Sequence, residues 1–204
     1  MSSLDDWITE PHFVALHQHF HALGVLHARW NVAELHFQQL AWSLIGAGPT
    51  IGGAVTFSLG NIARADLILT LAREVMKHPD TVGLFEFFVK LFNRNRENRN
   101  FLFHRRLMHA SNMPYGQYAI IQGFSAKGRT RLPMFVLPLS EVRAVADEVE
   151  TMNVFFNRFL DILIADAGPE QLSSLERPPL PRTLVERLRS FDPTDLPPPE
   201  SSQT

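Results

Sequence analysis

Arg99 and His104 are the two residues of this chain whose chemistry and spacing point most clearly to a reaction. They open and close the stretch RNFLFH, in which Asn100 follows the arginine directly. A guanidinium can hold a phosphate through a planar fork of donors, and an imidazole can transfer a proton near neutral pH. Together the two side chains indicate cleavage of RNA without a metal ion.

A second pair in the chain has the same spacing. Arg73 and His78 are also separated by four residues, but His78 stands before a proline, where a helix is expected to end. Arg99 is followed by an amide that can orient its guanidinium or a phosphate, and further arginines surround it. We therefore expect the site at Arg99 and His104.

Glu34 is a candidate support for this site. It falls on the apolar stripe of the first predicted helix, which also contains Phe20, Leu23, Trp30 and Phe37. Glu34 therefore points inward if that stripe is the core, and a buried carboxylate needs a partner. Arg99 is the candidate partner. Two simpler interpretations stay open. In one, Glu34 lies at the edge of the stripe in water. In the other, Arg99 pairs with another acidic residue while His104 only lines the surface.

The composition is that of one folded domain with a tail. The chain has 204 residues, of which 45% are hydrophobic, and its 16 phenylalanines are enough for a packed core. It has no cysteine, which excludes disulfides, thiolate metal sites and cysteine nucleophiles. The first residues lack a signal-peptide pattern and no apolar run reaches membrane-spanning length, so we expect a soluble cytoplasmic protein without membrane contact.

Positive charge is concentrated in one segment. The formal net charge of the chain is −2, which excludes a generally basic nucleic-acid coat protein. Between residues 90 and 106, six basic residues stand against one acidic residue, which gives a local charge of +5. This segment predicts an anion-binding surface, and its candidate RNA contacts are Arg94, Arg96, Arg105 and Arg106.

The hydrophobic periodicity predicts four long helices. Apolar residues recur at steps of three and four, and the breaks GAGP and HPD separate the first three helices. These cover residues 11–45, 53–77 and 81–109, and a fourth helix begins at the cap residue Ser140. The predicted fold class is therefore mainly α, an antiparallel four-helix bundle.

A β-hairpin is predicted before the last long helix. Its strands are the β-prone runs 118–124 and 130–137, which flank the turn sequence SAKG within about 117–138. The hairpin is an insertion in a single helical domain that spans 1–168.

A proline-rich tail follows this domain. Residues 169–204 hold 8 of the 14 prolines of the chain. A short docking helix is expected at 182–190, and the final segment, 191–204, is expected to be disordered.

Five histidines lie close together in the first helix, at His12, His17, His19, His21 and His27. Two of them, His17 and His21, have the i, i+4 spacing of a helical metal pair. Neither a cysteine nor a Glu-x-x-His pair accompanies them. We favour a solvated helix face over zinc binding, and the expected chemistry needs no metal or cofactor.

The chain resembles the HEPN superfamily, whose members are marked by Arg-x4-His, often with a polar residue after the arginine. The resemblance rests on Arg99-Asn100-x-x-x-His104 late in the third helix and on a first helix that carries Gly24, Trp30 and Glu34. It covers residues 11–165. It implies a four-helix bundle that dimerises across a cleft and cleaves RNA without a metal, as toxins, antiviral effectors and RNA-processing enzymes of this type do.

The resemblance also implies a role for each matching residue. Arg99 would stabilise the charge that grows on the scissile phosphate, with Asn100 and Glu34 holding it in place. His104 would act as general base or acid in the attack by the ribose 2′-hydroxyl, and a second subunit would supply its partner. The products would be a cyclic phosphate and a 5′-hydroxyl. An antitoxin or regulatory protein is the further partner that such a toxin implies.

Two other functions stay open at this point. The slightly negative net charge weakens long-range attraction to RNA, which is compatible with a non-catalytic HEPN-like module that binds a nucleotide, an RNA or a protein. A structural helical protein is the second alternative, in which the arginines form surface ion pairs that are individually worth little.

Overall fold

The fold is mainly helical, with a small three-stranded antiparallel sheet. The computed structural model of the chain describes residues 11–109, 113–114, 116–123, 133–165 and 169–191. The helices are α1 Pro11–Ile45, α2 Pro49–Thr56, α3 Asn61–Val75, α4 Pro79–Phe103, α5 Leu139–Ile164, α6 Pro169–Ser173 and α7 Leu184–Arg189, and the strands are β1 Arg106–His109, β2 Tyr118–Gln122 and β3 Met134–Pro138. Within these described helices, none has the length and hydropathy needed to cross a bilayer.

Several predicted elements are confirmed. The first helix has the predicted bounds, the fourth begins one residue before its predicted cap, and the short helix of the tail is present as α7. The turn of the hairpin lies within 124–132, outside the described residues, as do 192–204 of the segment that is expected to be disordered.

The prediction of one continuous helix over residues 53–77 is wrong. The structure divides it into α2 and α3, because the chain leaves the helix after Thr56. The hydroxyl of Thr56 donates to the carbonyl of Gly52 and accepts from the indole of Trp42, while its carbonyl accepts from Nε of Arg64 at 3.3 Å. These contacts satisfy groups that a continuing helix would otherwise use, and Gly60 is then the N-cap of α3.

The third predicted helix extends six residues too far. It ends at Phe103, so His104 lies just after the helix rather than within it, and its amide still donates to the carbonyl of Asn100 at 3.1 Å. Residues 106–109 form β1 instead, where Arg106 pairs with Gln122 and His109 with Ala119. Pairing with β2 overrides the helical pattern, and neither glycine nor proline marks the change in the sequence.

The sheet has the order β1-β2-β3, and both strand pairs are antiparallel. The predicted hairpin is confirmed as β2 and β3, with Tyr118 opposite Pro138 and Gln122 opposite Met134. Alternate residues of β2 are buried, so Ala119 and Ile121 have no exposed surface. One face of the sheet is therefore a core face.

The chain forms two compact units, and each takes part of α1, α4 and α5. The first unit takes its described residues from Met1–His27, Arg96–Asp147 and Arg182–Thr204, and it contains the sheet and α7. The second takes its described residues from Ala28–Asn95 and Glu148–Pro181.

The core of the second unit is aromatic. The ring of Phe37 stacks on that of Phe92 with centroids 3.8 Å apart, and Phe88 stacks on Phe156 at 3.5 Å. Trp30 packs against Phe92 at 5.0 Å and is 1% exposed, as the predicted core stripe of the first helix requires. Such rings bury large apolar areas and dominate the packing energy of a core.

The first unit contains a buried histidine that the solvated-face interpretation placed in water. His19 has no exposed surface, and its Nε2 lies 3.2 Å from the carbonyl oxygen of Leu137 in β3. Burial lowers the pKa of the imidazole, and the positive charge of Arg143 lowers it further, against the opposing effect of the bond to Leu137. His19 is therefore a neutral link between α1 and the sheet.

We expect the buried His19 to make the protein less stable in acid. Its imidazole binds a proton more readily in the unfolded chain than in the folded one. Its contribution to stability is therefore fully present above pH 6.5, the ordinary pKa, and decreases as the pH falls towards the lower folded value. One proton changes the free energy of unfolding by at most about 1.4 kcal/mol per pH unit.

Urea unfolding at about pH 7.5 and about pH 5.5 measures this effect. His19→Gln keeps an amide donor but cannot titrate, so it should lose part of the difference between the two pH values. His17→Gln is the matched control, since His17 is an exposed neighbour on the same helix. An unchanged pH dependence in His19→Gln would contradict the assignment.

Candidate functional site

A cleft of about 380 Å³ lies at the C-terminal end of α4, in the first unit. Its described lining consists of Arg96, Glu97, Asn100, Phe101, His104 and Arg105. These residues recur at steps of four along the chain, so the first four lie on one face of the last turns of α4 and His104 and Arg105 directly follow the end of the helix. The predicted proton carrier, His104, and two of the predicted RNA contacts thus share one concave surface.

Arg99 lies beside this surface. Its Nη1 donates to Oδ1 of Asn100 at 3.0 Å, and its guanidinium carbon is 4.6 Å from the ring centroid of Phe103. The amide of Asn100 is therefore a hydrogen-bond acceptor for the guanidinium. Asn100 lines the cleft, whereas Arg99 is not part of its lining. The hydrogen bond to Asn100 therefore connects Arg99 to the cleft.

Arg105 is a cation of the cleft that stacks on an aromatic ring. Its guanidinium carbon lies 3.5 Å from the ring centroid of Phe101, and burial lowers the pKa of its side chain. An arginine nevertheless stays protonated at neutral pH. Nη1 of Arg105 is buried and has no hydrogen-bond acceptor among the described residues. A bound anion would supply the acceptor that this donor lacks.

Gly123 makes room for Arg105. It follows β2, and its amide donates to the carbonyl of Pro133 at 3.0 Å. A Cβ atom at this position would lie 2.8 Å from Nε of Arg105, closer than ordinary packing allows. The arginine can therefore hold its place on Phe101 only because residue 123 has no side chain.

No protein-family model, curated protein or solved structure matches this sequence. The chemistry of the cleft must therefore be inferred from its own residues. Across the described part of the chain, no three histidine or acidic side chains are grouped so that they could hold a metal ion.

The other predicted residues lie elsewhere. Arg106 is exposed on β1 and lines a neighbouring pocket. Arg94 belongs to the second unit, where its Nη1 donates to the carbonyl of Pro181 at 3.5 Å. Glu34 also belongs to the second unit, and its carboxylate accepts a hydrogen bond of 2.7 Å from Asn61. The expected role of Glu34 towards Arg99 stays a prediction.

Two residues of this region escaped the sequence analysis. Glu97 lines the cleft as an exposed carboxylate. It stands seven residues, or about two helical turns, before His104, and this spacing could have indicated that the two share one face. Gly123 gave no signal, because its role depends on a strand pairing that brings distant residues together. The exposed carboxylate and the imidazole give one chain two groups that can transfer protons at the same cleft.

Asn98, the neighbour of Arg99, holds the C-terminal segment of the first unit. Its Nδ2 donates to the carbonyl of Arg182 at 3.0 Å, and its Oδ1 accepts from the amide of Leu184 at 2.7 Å. Asn98 is 1% exposed. Thr183 and Glu186 form a capping box at the start of α7, which fixes the same turn.

We expect Asn98→Ala to destabilise the first unit by about 1–3 kcal/mol, because it removes both hydrogen bonds and leaves the buried amide of Leu184 and the partly buried carbonyl of Arg182 without their partner. Thermal unfolding and limited proteolysis near residues 182–190 measure the effect. Asn157→Ala, an exposed substitution on α5, is the control and should change neither. Equal thermal stability and equal proteolysis of the two variants would show that the two hydrogen bonds of Asn98 contribute nothing to stability.

Proposed function

We propose that this chain is a metal-independent endoribonuclease of the HEPN type. The antiparallel four-helix arrangement, the homodimer and the cytoplasmic location expected of such an enzyme belong to the proposal, as does an antitoxin or regulatory partner. The observation that carries it is the shared cleft, where His104, Asn100 and Arg105 meet and where Asn100 is hydrogen-bonded to Arg99. A proton carrier, phosphate-binding cations and an orienting amide are the groups that RNA cleavage by its own 2′-hydroxyl requires.

The reaction is a transesterification. A base removes the proton of the 2′-hydroxyl, and the 2′-oxygen forms a bond to phosphorus while the bond from phosphorus to the 5′-oxygen breaks. An acid protonates the leaving 5′-oxygen. The products are a 2′,3′-cyclic phosphate and a 5′-hydroxyl, and the positive charges of Arg99 and Arg105 stabilise the phosphorane-like transition state.

Two groups can complete this proton transfer with His104. One is Glu97, which lines the same cleft in the same chain. The other is a residue of a second subunit, as the family resemblance implies. The two cases differ in their kinetics, because Glu97→Gln lowers the cleavage rate only in the first. A rate that is second order in protein at low concentration supports the second.

Substrate binding depends on the cations of the cleft. Arg96 and Arg105 offer two phosphate contacts, and the buried Nη1 of Arg105 gains an acceptor when a phosphate binds. The logarithm of the affinity for single-stranded RNA should fall with the logarithm of the salt concentration, with a slope of about −0.7 for each phosphate contact.

The test is cleavage of an unstructured RNA in excess chelator. We expect His104→Ala to lower the rate by about 10²–10⁴-fold, through loss of proton transfer, and Arg99→Ala by about 10²–10³-fold, through loss of charge stabilisation. Mass spectrometry of the products should show a cyclic phosphate and a 5′-hydroxyl.

The chain contains its own matched control. Arg73 and His78 have the same spacing but are exposed, and Arg73 is paired with Glu86 at 2.8 Å. The double substitution of Arg73 and His78 by alanine should leave the rate unchanged. Equal cleavage by all variants, or by none of them including the wild type, would remove the proposed activity.

Gly123→Ala is expected to weaken RNA binding without a large loss of stability. The added methyl group displaces Arg105, and the displaced group is the flexible end of a side chain, so the free energy of unfolding should change by less than about 1 kcal/mol. Fluorescence anisotropy with labelled RNA and thermal unfolding measure the two effects. Gly83→Ala, where nothing lies within 4 Å of the added atom, is the control. Wild-type affinity in Gly123→Ala would contradict the role given to Arg105.

One observation favours a non-catalytic binding module as the second candidate function. The guanidinium of Arg99 is engaged by Phe103 and Asn100 and is not part of the cleft lining, so a direct contact with phosphate requires a change in its position. Such a module binds RNA or a nucleotide through Arg96 and Arg105 with no turnover. Binding that is lost in Arg105→Ala, together with no cleavage by the wild type, would establish it.

A further inference from the structure

A second pocket is lined partly by residues that directly follow those of the cleft in the sequence. It has a volume of about 480 Å³ and lies in the first unit, between α1 and β1. Its described lining consists of Phe13, Leu16, Phe20, Arg106, Leu107, Met108 and His109. A volume in this range suits a small planar ligand.

The aromatic wall of this pocket is partly open to solvent. The rings of Phe13 and Phe20 have their centroids 5.8 Å apart at an angle of 30°. Phe20 is 40% exposed, although the sequence pattern places it on the core stripe of the first helix. That core assignment is wrong, because Phe20 faces the pocket instead of the interior. An exposed aromatic face next to a second ring is a surface on which another flat ring can stack.

The strand β1 contributes a cation to this pocket. Arg106 is exposed and lines the pocket, while the preceding residue, Arg105, lines the cleft that contains His104. Arg105 and Arg106 are adjacent in the chain, with Cα atoms about 3.8 Å apart, so the cleft and the pocket have neighbouring lining residues. A polyanion that is bound by Arg105 can therefore extend to Arg106 and to the aromatic wall.

We propose that the pocket formed by Phe13, Phe20 and Arg106 binds an unpaired nucleobase of single-stranded RNA, next to the cleft that holds the backbone. This inference rests on the proposed function for the identity of the polymer, and it adds the base-binding subsite and the requirement for a single strand. The base stacks on Phe20, and Arg106 contacts the adjoining phosphate. A base in a duplex has both faces covered by its neighbours and cannot enter such a pocket.

Binding rather than cleavage tests this subsite. The probe is a labelled 2′-O-methyl RNA oligonucleotide, which has no attacking hydroxyl and therefore reports affinity alone by fluorescence anisotropy. We expect Phe20→Ala to weaken binding by about fivefold to hundredfold, the effect of losing one base stack. Phe20→Trp keeps an aromatic face and should keep the affinity.

The chain offers a matched control at Phe57. This phenylalanine is 89% exposed and belongs to the second unit, so Phe57→Ala removes a more exposed ring from another surface. It should leave the affinity unchanged. A thermal unfolding curve for each variant shows whether the folded state is intact, and Phe20→Trp keeps the inference testable if Phe20→Ala unfolds.

An abasic version of the same oligonucleotide separates base stacking from backbone contacts. It should bind wild type and Phe20→Ala equally, whereas Arg105→Ala should weaken both oligonucleotides. An equal loss on the two oligonucleotides in Phe20→Ala would overturn the stacking role, as would no loss on either. If the wild type shows this pattern but cleaves no RNA, the subsite stands and the catalytic proposal fails. If the wild type binds neither oligonucleotide, both fail.

Discussion

The pairing of β1 with β2 is the interaction on which the rest of the site depends. Because Arg106 pairs with Gln122, the chain must leave the helix after Phe103 and reach a strand within two residues. His104 and Arg105 are the residues of that junction. Both line one cleft, four residues after Asn100 and Phe101. The strand pairing thus fixes where the chain leaves the helix, directly after the residues of the proposed chemistry on α4.

Long periodic elements were predictable from the sequence, and their ends were not. The first helix repeats apolar residues over nearly ten turns, so Trp30 and Phe37 are found in the core where the pattern puts them. The end of α4 has no such signal, because β pairing decides it. The break after Thr56 depends on contacts from Trp42 and Arg64, which come from other elements. Local patterns predict segments that stabilise themselves, and tertiary contacts decide where these segments stop.

The candidate site shows the same division. His104, Asn100 and Arg105 could be selected by residue type and charge, and the structure brings them to one cleft. Gly123 and Phe20 could not be selected in this way. The role of Gly123 exists only because a strand end lies against an arginine side chain, and Phe20 is exposed at a pocket that it lines together with residues of β1. A spacing rule relates residues that are near each other in the chain. Gly123 lies against Arg105, and Phe20 lines a pocket with β1, so each depends on residues that are distant in the sequence.

Because the amide of Asn98 bonds main-chain atoms of the C-terminal segment, mutations at the two ends of these bonds differ in their effect. Its two contacts are to main-chain atoms, the carbonyl of Arg182 and the amide of Leu184. The side chain of Arg182 is exposed, so many residue types can stand there without loss of the bond. At position 98 only a side chain that both donates and accepts fits: aspartate lacks the donor and leucine lacks both. Natural variation should therefore be wide at 182 and narrow at 98, although neither residue takes part in the chemistry of the cleft.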